Sequence, residues 1–150
     1  APELSRLLDE ERATVVDLSS SREFRAGHIC GARHSVRARL PRLLAAMDVR
    51  GRLVLTSSDG VLARLAAHDM HKLGEADAHV LMGGNAAWRD GGFSLSTGDD
   101  GLEEHPDDVW LRPYEDTENI EQAMRNYLEW EIDLVGQIDR DGTTNFERFD

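Results

Sequence analysis

Leu4, Leu7 and Leu8 follow Pro2 and Glu3 at helical spacing, which predicts a short amphipathic helix ending near Arg12. Ala13 to Leu18 is a short, largely apolar run containing the adjacent valines Val15 and Val16, the pattern of a buried parallel strand, with Asp17 at its C-terminal end. Ser19 to Ser21 offer N-caps for a short helix through Phe24 closed by Gly27, and Ala32 to Val36 could form another strand. Pro41 starts a helix whose apolar face is Leu40, Leu43, Leu44 and Met47, and Gly51 turns the chain into the strand Leu53 to Leu55. The loop Thr56 to Gly60 leads into Val61 to Leu73, a helix with apolar positions at Val61, Leu62, Leu65, Ala66, Met70 and Leu73 and Gly74 as its C-cap. Ala78 to Met82 is a further strand; Gly83 and Gly84 open a short helix containing Ala86, Ala87 and Trp88, which stops at Gly91 and Gly92.

Strands alternating with helices predict an α/β domain with a mainly parallel sheet and right-handed crossovers. Sites in such domains lie at the carboxyl ends of the strands, which puts Asp17 and the loop Thr56 to Gly60 on one edge. Asp99 to Asp108 reads as an acidic, extended connection. Beyond it, Asp116 or Thr117 caps an expected helix to about Arg140 with Ile120, Met124, Tyr127, Leu128, Leu134, Val135 and Ile138 as a stripe, while Phe146 and Phe149 are left for docking. That stripe is expected to pack on the domain or on another subunit, with Glu121, Glu129 and Asp133 outward.

Charge sharpens this division. Of the net −12, residues 1–98 carry 13 basic against 12 acidic side chains and the remainder 4 against 17. An acidic tail repels phosphate backbones, so no nucleic acid is expected as a partner. No apolar run approaches the roughly 18 residues of a membrane span and Ala1 to Glu11 has no secretory pattern, so no membrane association is expected and the cytoplasm is the expected compartment. The single cysteine, Cys30, cannot form an internal disulfide.

Four stretches, in order, resemble the rhodanese homology domain. They are Val15-Val16-Asp17 with Glu23 and Phe24; Gly27-His28-Ile29-Cys30-Gly31-Ala32, with cysteine where the family turn has proline; Leu53 to Ala67; and Leu81-Met82-Gly83-Gly84 through Trp88 and Gly91. The resemblance covers Ala1 to about Gly98, giving an expected rhodanese-like domain over 1–98 and an acidic linker and docking helix over 99–150. It implies a three-layer α/β fold with a mainly parallel central sheet, to which the C-terminal amphipathic helix is added. It also implies transfer of sulfane sulfur through a persulfide on a cysteine in the loop C-x-x-G-x-R-S.

Aligned on Gly60, that loop here is Ser57, Ser58, Asp59, Gly60, Val61 and Leu62, followed by Ala63. Serine therefore stands at the cysteine position and Leu62 and Ala63 at those of the arginine and serine; Arg64 lies one place later and is expected to point elsewhere on the helix by about 100°. A loop entering a helix N-terminus aims several N–H groups at one point, a cradle for a thiolate, a persulfide or an oxyanion. A serine hydroxyl stays protonated there and holds no persulfide, and Asp59 opposes an anion, so no catalytic residue is expected. The resemblance makes Asp17, His28, Gly83, Gly84 and Trp88 motif positions; the glycines read as a tight turn and Trp88 as core.

Other chemistry is weaker in this sequence. Cys30 is an alternative sulfur carrier, and the cradle could serve an enzyme of another type, although Ser57 lacks the G-x-S-x-G elbow of an activated serine. His28, Cys30 and His34, or His68 and His71, do not have common zinc spacings, so no metal and no cofactor is expected. The expected role is a silent module, the C-terminal one of a multi-domain rhodanese-related sulfurtransferase, whose partners are other rhodanese domains of the same polypeptide or of a homo-oligomer. Opening directly on a helix without an initiator methionine fits an excised module.

Overall fold

The computed structural model describes residues 1–74, 77–110, 112, 115 and 119–143. It divides into two compact units, Ala1–Val109 and Trp110–Asp150.

In the first unit, α1 (Pro2–Asp9) leads to β1 (Ala13–Asp17), α2 (Ser21–Ala26), β2 (Arg33–His34) and a single 3-10 turn before α3 (Leu40–Ala46). Then come β3 (Arg52–Thr56), α4 (Val61–Leu73), β4 (Ala78–Val80) and α5 (Gly84–Asp90). The four strands form one parallel sheet in the order β2-β1-β3-β4, with Val15 opposite Val54 and Asp17 opposite Thr56. Side chains alternate across the sheet and create two cores. Val15 and Val54 face Leu4 of α1, Phe24 of α2 and Trp88 of α5; Val16, Leu53 and Leu55 face Leu40 of α3 and Ala63, Ala66 and Met70 of α4. Helices on both faces of a parallel sheet are the three-layer α/β architecture that the alternation predicts.

Ser20 is the cap of α2, in a reciprocal capping box with Glu23. The apolar positions of α4 divide between core and solvent. Ala63, Ala66 and Met70 are buried, while Val61, Leu62, Leu65 and Leu73 are exposed. Small alanines let the helix backbone come close to the sheet, and that close approach outweighs the larger area its leucines would bury on the other side.

The first unit extends past Gly98 to Val109. Arg25 Nε donates to Asp99 at 2.6 Å, the His34 amide to the Gly101 carbonyl at 2.8 Å, Arg39 to Glu104 and Asp107, and the Ser21 amide to Asp108 at 2.8 Å. Gly101 has φ +88, and a Cβ there would collide with the Ala32 carbonyl oxygen, so only glycine lets this segment lie so close.

The second unit contains α6 (Ile120–Asp141), capped by the Asn119 side chain, which accepts the Gln122 amide at 3.1 Å. The caps read from sequence, Asp116 and Thr117, lie outside the described residues, as do Phe146 and Phe149. None of α6's residues is buried; Leu128 and Val135 of its stripe, and the acidic residues Glu121, Glu129 and Asp133, are all exposed. No helix among the described residues is long and apolar enough to cross a membrane.

Candidate functional site

Register alone brings the site together. The pairing of Asp17 with Thr56 places the ends of β1 and β3 side by side, and the chain then leaves β3 through Ser57 to Gly60 into α4. Asp17 is fully buried. Its Oδ1 accepts the Ser19 amide at 2.9 Å and the Ser19 hydroxyl at 2.6 Å, and its Oδ2 accepts Nδ2 of Asn85 at 2.6 Å. Thr56 Oγ1 donates to Asn85 Oδ1 at 2.9 Å, and the Ser58 hydroxyl donates to Ser19 Oγ at 3.2 Å. A buried carboxylate is tolerated here because donors surround it on both oxygens.

The loop is pinned from the other side by the start of α5. Asn85 and Ala86 amides donate to the Ser57 and Ser58 carbonyls at 2.9 and 3.0 Å. Gly84 has φ +60, and a Cβ on it would run into the Ser57 carbonyl oxygen and come within 2.5 Å of the Gly60 nitrogen. The two glycines Gly60 and Gly84 thus face each other where the loop and the α5 turn meet.

Within the loop, two of the amides that would cradle an anion already have acceptors. Asp59 Oδ1 accepts the Val61 amide at 2.9 Å, and Ser57 Oγ accepts the Ala63 amide at 3.4 Å. Ser57 is 1% exposed, and the partner of its hydroxyl is this amide rather than an imidazole. Val61 and Leu62 stand exposed at the rim. Beside Ser58 opens a cleft of about 370 Å³ whose lining includes Glu23, Gly27, Ser58, Asn85, Arg89 and Leu95. The hydrogen bond from Ser20 chiefly holds the Glu23 carboxyl below its usual value; partial burial opposes this, and the bond from Ser58 adds to it.

The remaining motif positions build structure away from the loop. His28 is buried, stacked on Phe24 with ring centres 3.9 Å apart, and its Nδ1 donates to the Phe24 carbonyl at 2.8 Å. His34 Nε2 donates to the Ser19 carbonyl at 2.9 Å. Trp88 is buried in the first core and its indole N–H donates to the Ser94 carbonyl at 2.9 Å. A Cβ on Gly83 would meet that of Ala87 at 2.7 Å. Cys30 is exposed. Among the described residues no cluster of three or more histidine, cysteine or carboxylate side chains is placed to hold a metal ion.

Asn85 is the site residue that the sequence reading missed. The available signal was an amide side chain directly after Gly83-Gly84, at an inward position of a short helix whose other inward residue is Trp88. Ser19 reads from the sequence as a cap candidate and, by the resemblance, stands where the family segment usually has arginine; Thr56 reads as a loop boundary.

The profile of the rhodanese-like domain matches residues 1–90. Thiosulfate sulfurtransferase GlpE of Pseudomonas aeruginosa (strain LESB58) is 36% identical over 89 residues, which are 59% of this chain and 81% of that protein. The GlpE of Stutzerimonas stutzeri is 32% identical over 88 residues, again 59% and 81%. Among solved structures, the crystal structure of a thiosulfate sulfurtransferase from Pseudomonas aeruginosa matches with a TM-score of 0.82 and 35% identity over 99% of this chain. The match spans only 28% of that longer protein. A rhodanese-like domain protein from Staphylococcus aureus, 24% identical over 65% of this chain and 93% of its own with a TM-score of 0.54, shares the fold.

Proposed function

Since this chain belongs to the rhodanese-like family, we propose that it is a silent member of it, a module with a structural or regulatory role beside catalytic rhodanese domains of a larger thiosulfate sulfurtransferase. Ser57 at the cysteine position carries this reading. A persulfide needs a sulfur nucleophile, and Ser57 offers a buried hydroxyl that the loop uses internally. Two further observations support it. The carboxylate of Asp59 occupies an amide of the cradle and adds negative charge where a sulfur anion would sit. Leu62, at the position of the family's arginine, is apolar and exposed.

The module's partners, in this reading, are rhodanese domains of the same polypeptide or of a homo-oligomer, and its compartment is the cytoplasm. The relatives that are thiosulfate sulfurtransferases by name support the substrate class of the assembly, not activity of this loop.

A thiosulfate:cyanide sulfurtransferase assay of the purified chain tests the proposal, with turnover no higher than a heat-killed control expected. Sulfur transfer through Cys30 has one observation in its favour, the exposure of that thiol. Turnover abolished by Cys30→Ala would select that reading, and turnover surviving it would point to an enzyme of another type. Ser57→Cys alone should stay near background, because Asp59 and the missing arginine still disfavour the anion. Adding Asp59→Gly and Leu62→Arg should raise turnover by roughly the tenfold or more expected of restored charge stabilisation.

A further inference from the structure

Residues 99–108 carry six carboxylates in ten positions and neither lysine nor arginine. Five of those carboxylates reach back to the elements before them. Asp99 accepts Nε and a terminal amino group of Arg25 at 2.6 and 3.4 Å, Glu103 pairs with Arg33, and Glu104 and Asp107 share Arg39 at 3.2 and 2.8 Å. Asp108 accepts the Ser21 amide at 2.8 Å. The segment adds one side chain to the first core, Leu102, and that side chain is only partly buried.

Attraction between charges therefore holds this segment more than apolar burial does. Every arginine and carboxylate in these ion pairs keeps about a third or more of its side-chain surface in water. Exposed pairs of that kind are individually weak and are screened by salt. Once released, the carboxylates repel one another and keep the ten residues extended and hydrated. Both arrangements suit the same sequence, and ionic strength moves the balance because only the closed one uses the pairs. We propose that residues 99–108 are an electrostatic strap that opens and closes on the α2–β2 side while the sheet stays folded, and that its opening loosens the start of α2, on which the Ser58 end of the loop rests.

Two backbone contacts tie the strap to the site. The Gly101 carbonyl accepts the outward amide of His34 on β2 at 2.8 Å, and Asp108 accepts that of Ser21, the first residue of α2. Ser19 and Ser20 stand immediately before Ser21. The Ser19 hydroxyl donates to Asp17 at 2.6 Å and accepts from Ser58 at 3.2 Å, while Ser20 forms the capping box with Glu23. Withdrawing Asp108 gives the amide at the head of α2 back to water and frees the turn that presents these two serines. The strap thus connects the β2 edge of the sheet to the loop after β3.

Amide hydrogen exchange of the full chain tests this at ionic strengths of about 0.01 M and about 1 M, between which the screening length falls from roughly 30 to roughly 3 Å. The His34 and Ser21 amides should exchange about tenfold faster or more in high salt. The Leu81 amide, which donates to the Leu55 carbonyl in the sheet at 3.0 Å, should keep its rate and so report that the domain stays folded. Glu104→Gln combined with Asp107→Asn takes both negative charges from Arg39 while keeping side-chain size. That variant should already exchange faster at His34 and Ser21 in low salt, gain less from added salt, and leave Leu81 as it was. Rates at His34 and Ser21 that ignore salt would overturn the proposal, because the pairs would then not hold the segment. Acceleration shared equally by Leu81 would overturn it too, since the whole domain would be opening, and so would acceleration at His34 alone, since the end of the strap on α2 would stay shut.

Discussion

The side-chain amide of Asn85 donates to the fully buried carboxylate of Asp17 at 2.6 Å, joining the first residue after the Gly83-Gly84 turn to the last residue of β1. With its carbonyl oxygen accepting from Thr56, this one amide ties both central strands to α5. Asn85→Leu should therefore cost about 2–4 kcal/mol, because it leaves a buried carboxylate short of a donor and a buried hydroxyl without its acceptor. Urea unfolding measures it. Asn85→Asp should cost at least as much, because it replaces the donor to Asp17 with a second carboxyl group facing it; a variant as stable as the parent would contradict this account.

Gly84→Ala places a Cβ where the Ser57 carbonyl and the Gly60 nitrogen already are, on a residue with φ +60. The expected loss is about 2 kcal/mol or more, of which only about 1–2 reflects the backbone conformation. Gly92→Ala is the internal control. Gly92 has φ +83 but nothing within 4 Å of its would-be Cβ, so it should lose only the conformational part. Equal losses in the two variants would show that the loop does not press against α5.

Glu23 links stability to pH. The bond from Ser20 is the main reason its carboxyl lies below the ordinary value of 4.5, burial works against that, and Ser58 contributes. A carboxyl whose folded value is depressed stabilises the fold above its unfolded value, and that contribution is lost as pH falls through the folded one. The chain should therefore lose stability as pH drops below about 4.5, and Glu23→Gln should flatten that limb of the profile as well as weaken the capping box. An unchanged acid slope in Glu23→Gln would assign the loss to other carboxylates, among them Asp107, which the hydrogen bond from Arg39 holds low.

Two truncations separate the contacts of the 99–109 segment from those of the tail. A chain ending at Gly98 loses the bonds of Asp99, Gly101, Glu104, Asp107 and Asp108 to the first unit, whereas one ending at Val109 keeps them. The shorter chain should melt lower and aggregate more readily, since Leu102 packs on the first core. If the chain ending at Val109 also falls well below the full chain, the stripe of α6 contributes to stability, and Trp130 fluorescence in the full chain would report its surroundings.

Much of this architecture was legible from periodicity. Val15-Val16 and Leu53-Val54-Leu55 are too apolar for half-exposed strands, Gly51 marks where β3 begins, and Gly74 and Gly91 mark where α4 and α5 end. The edge bearing Asp17 and the Ser57 loop followed from the rule that sites gather at strand ends. The buried face of α4 did not follow, because helical spacing ranks leucine above alanine, whereas the distance between helix and sheet favoured Ala63 and Ala66. Asn85 stayed hidden for a related reason. Its partners come from β1 and β3, remote in sequence, and no local pattern encodes a hydrogen bond across 68 positions.

The order of the sheet also dictates when the chain can fold. β1 is made early, yet its full-length neighbour is β3, since β2 offers it only two paired residues. Val15 and Val16 therefore stay without a lasting shelter until Thr56 has left the ribosome, and loop closure on that scale makes the β1–β3 pairing the slow event of a nonlocal topology. During synthesis the first half of this chain therefore exposes apolar strand residues before their sheet partner exists, the condition under which an incomplete chain is prone to aggregate.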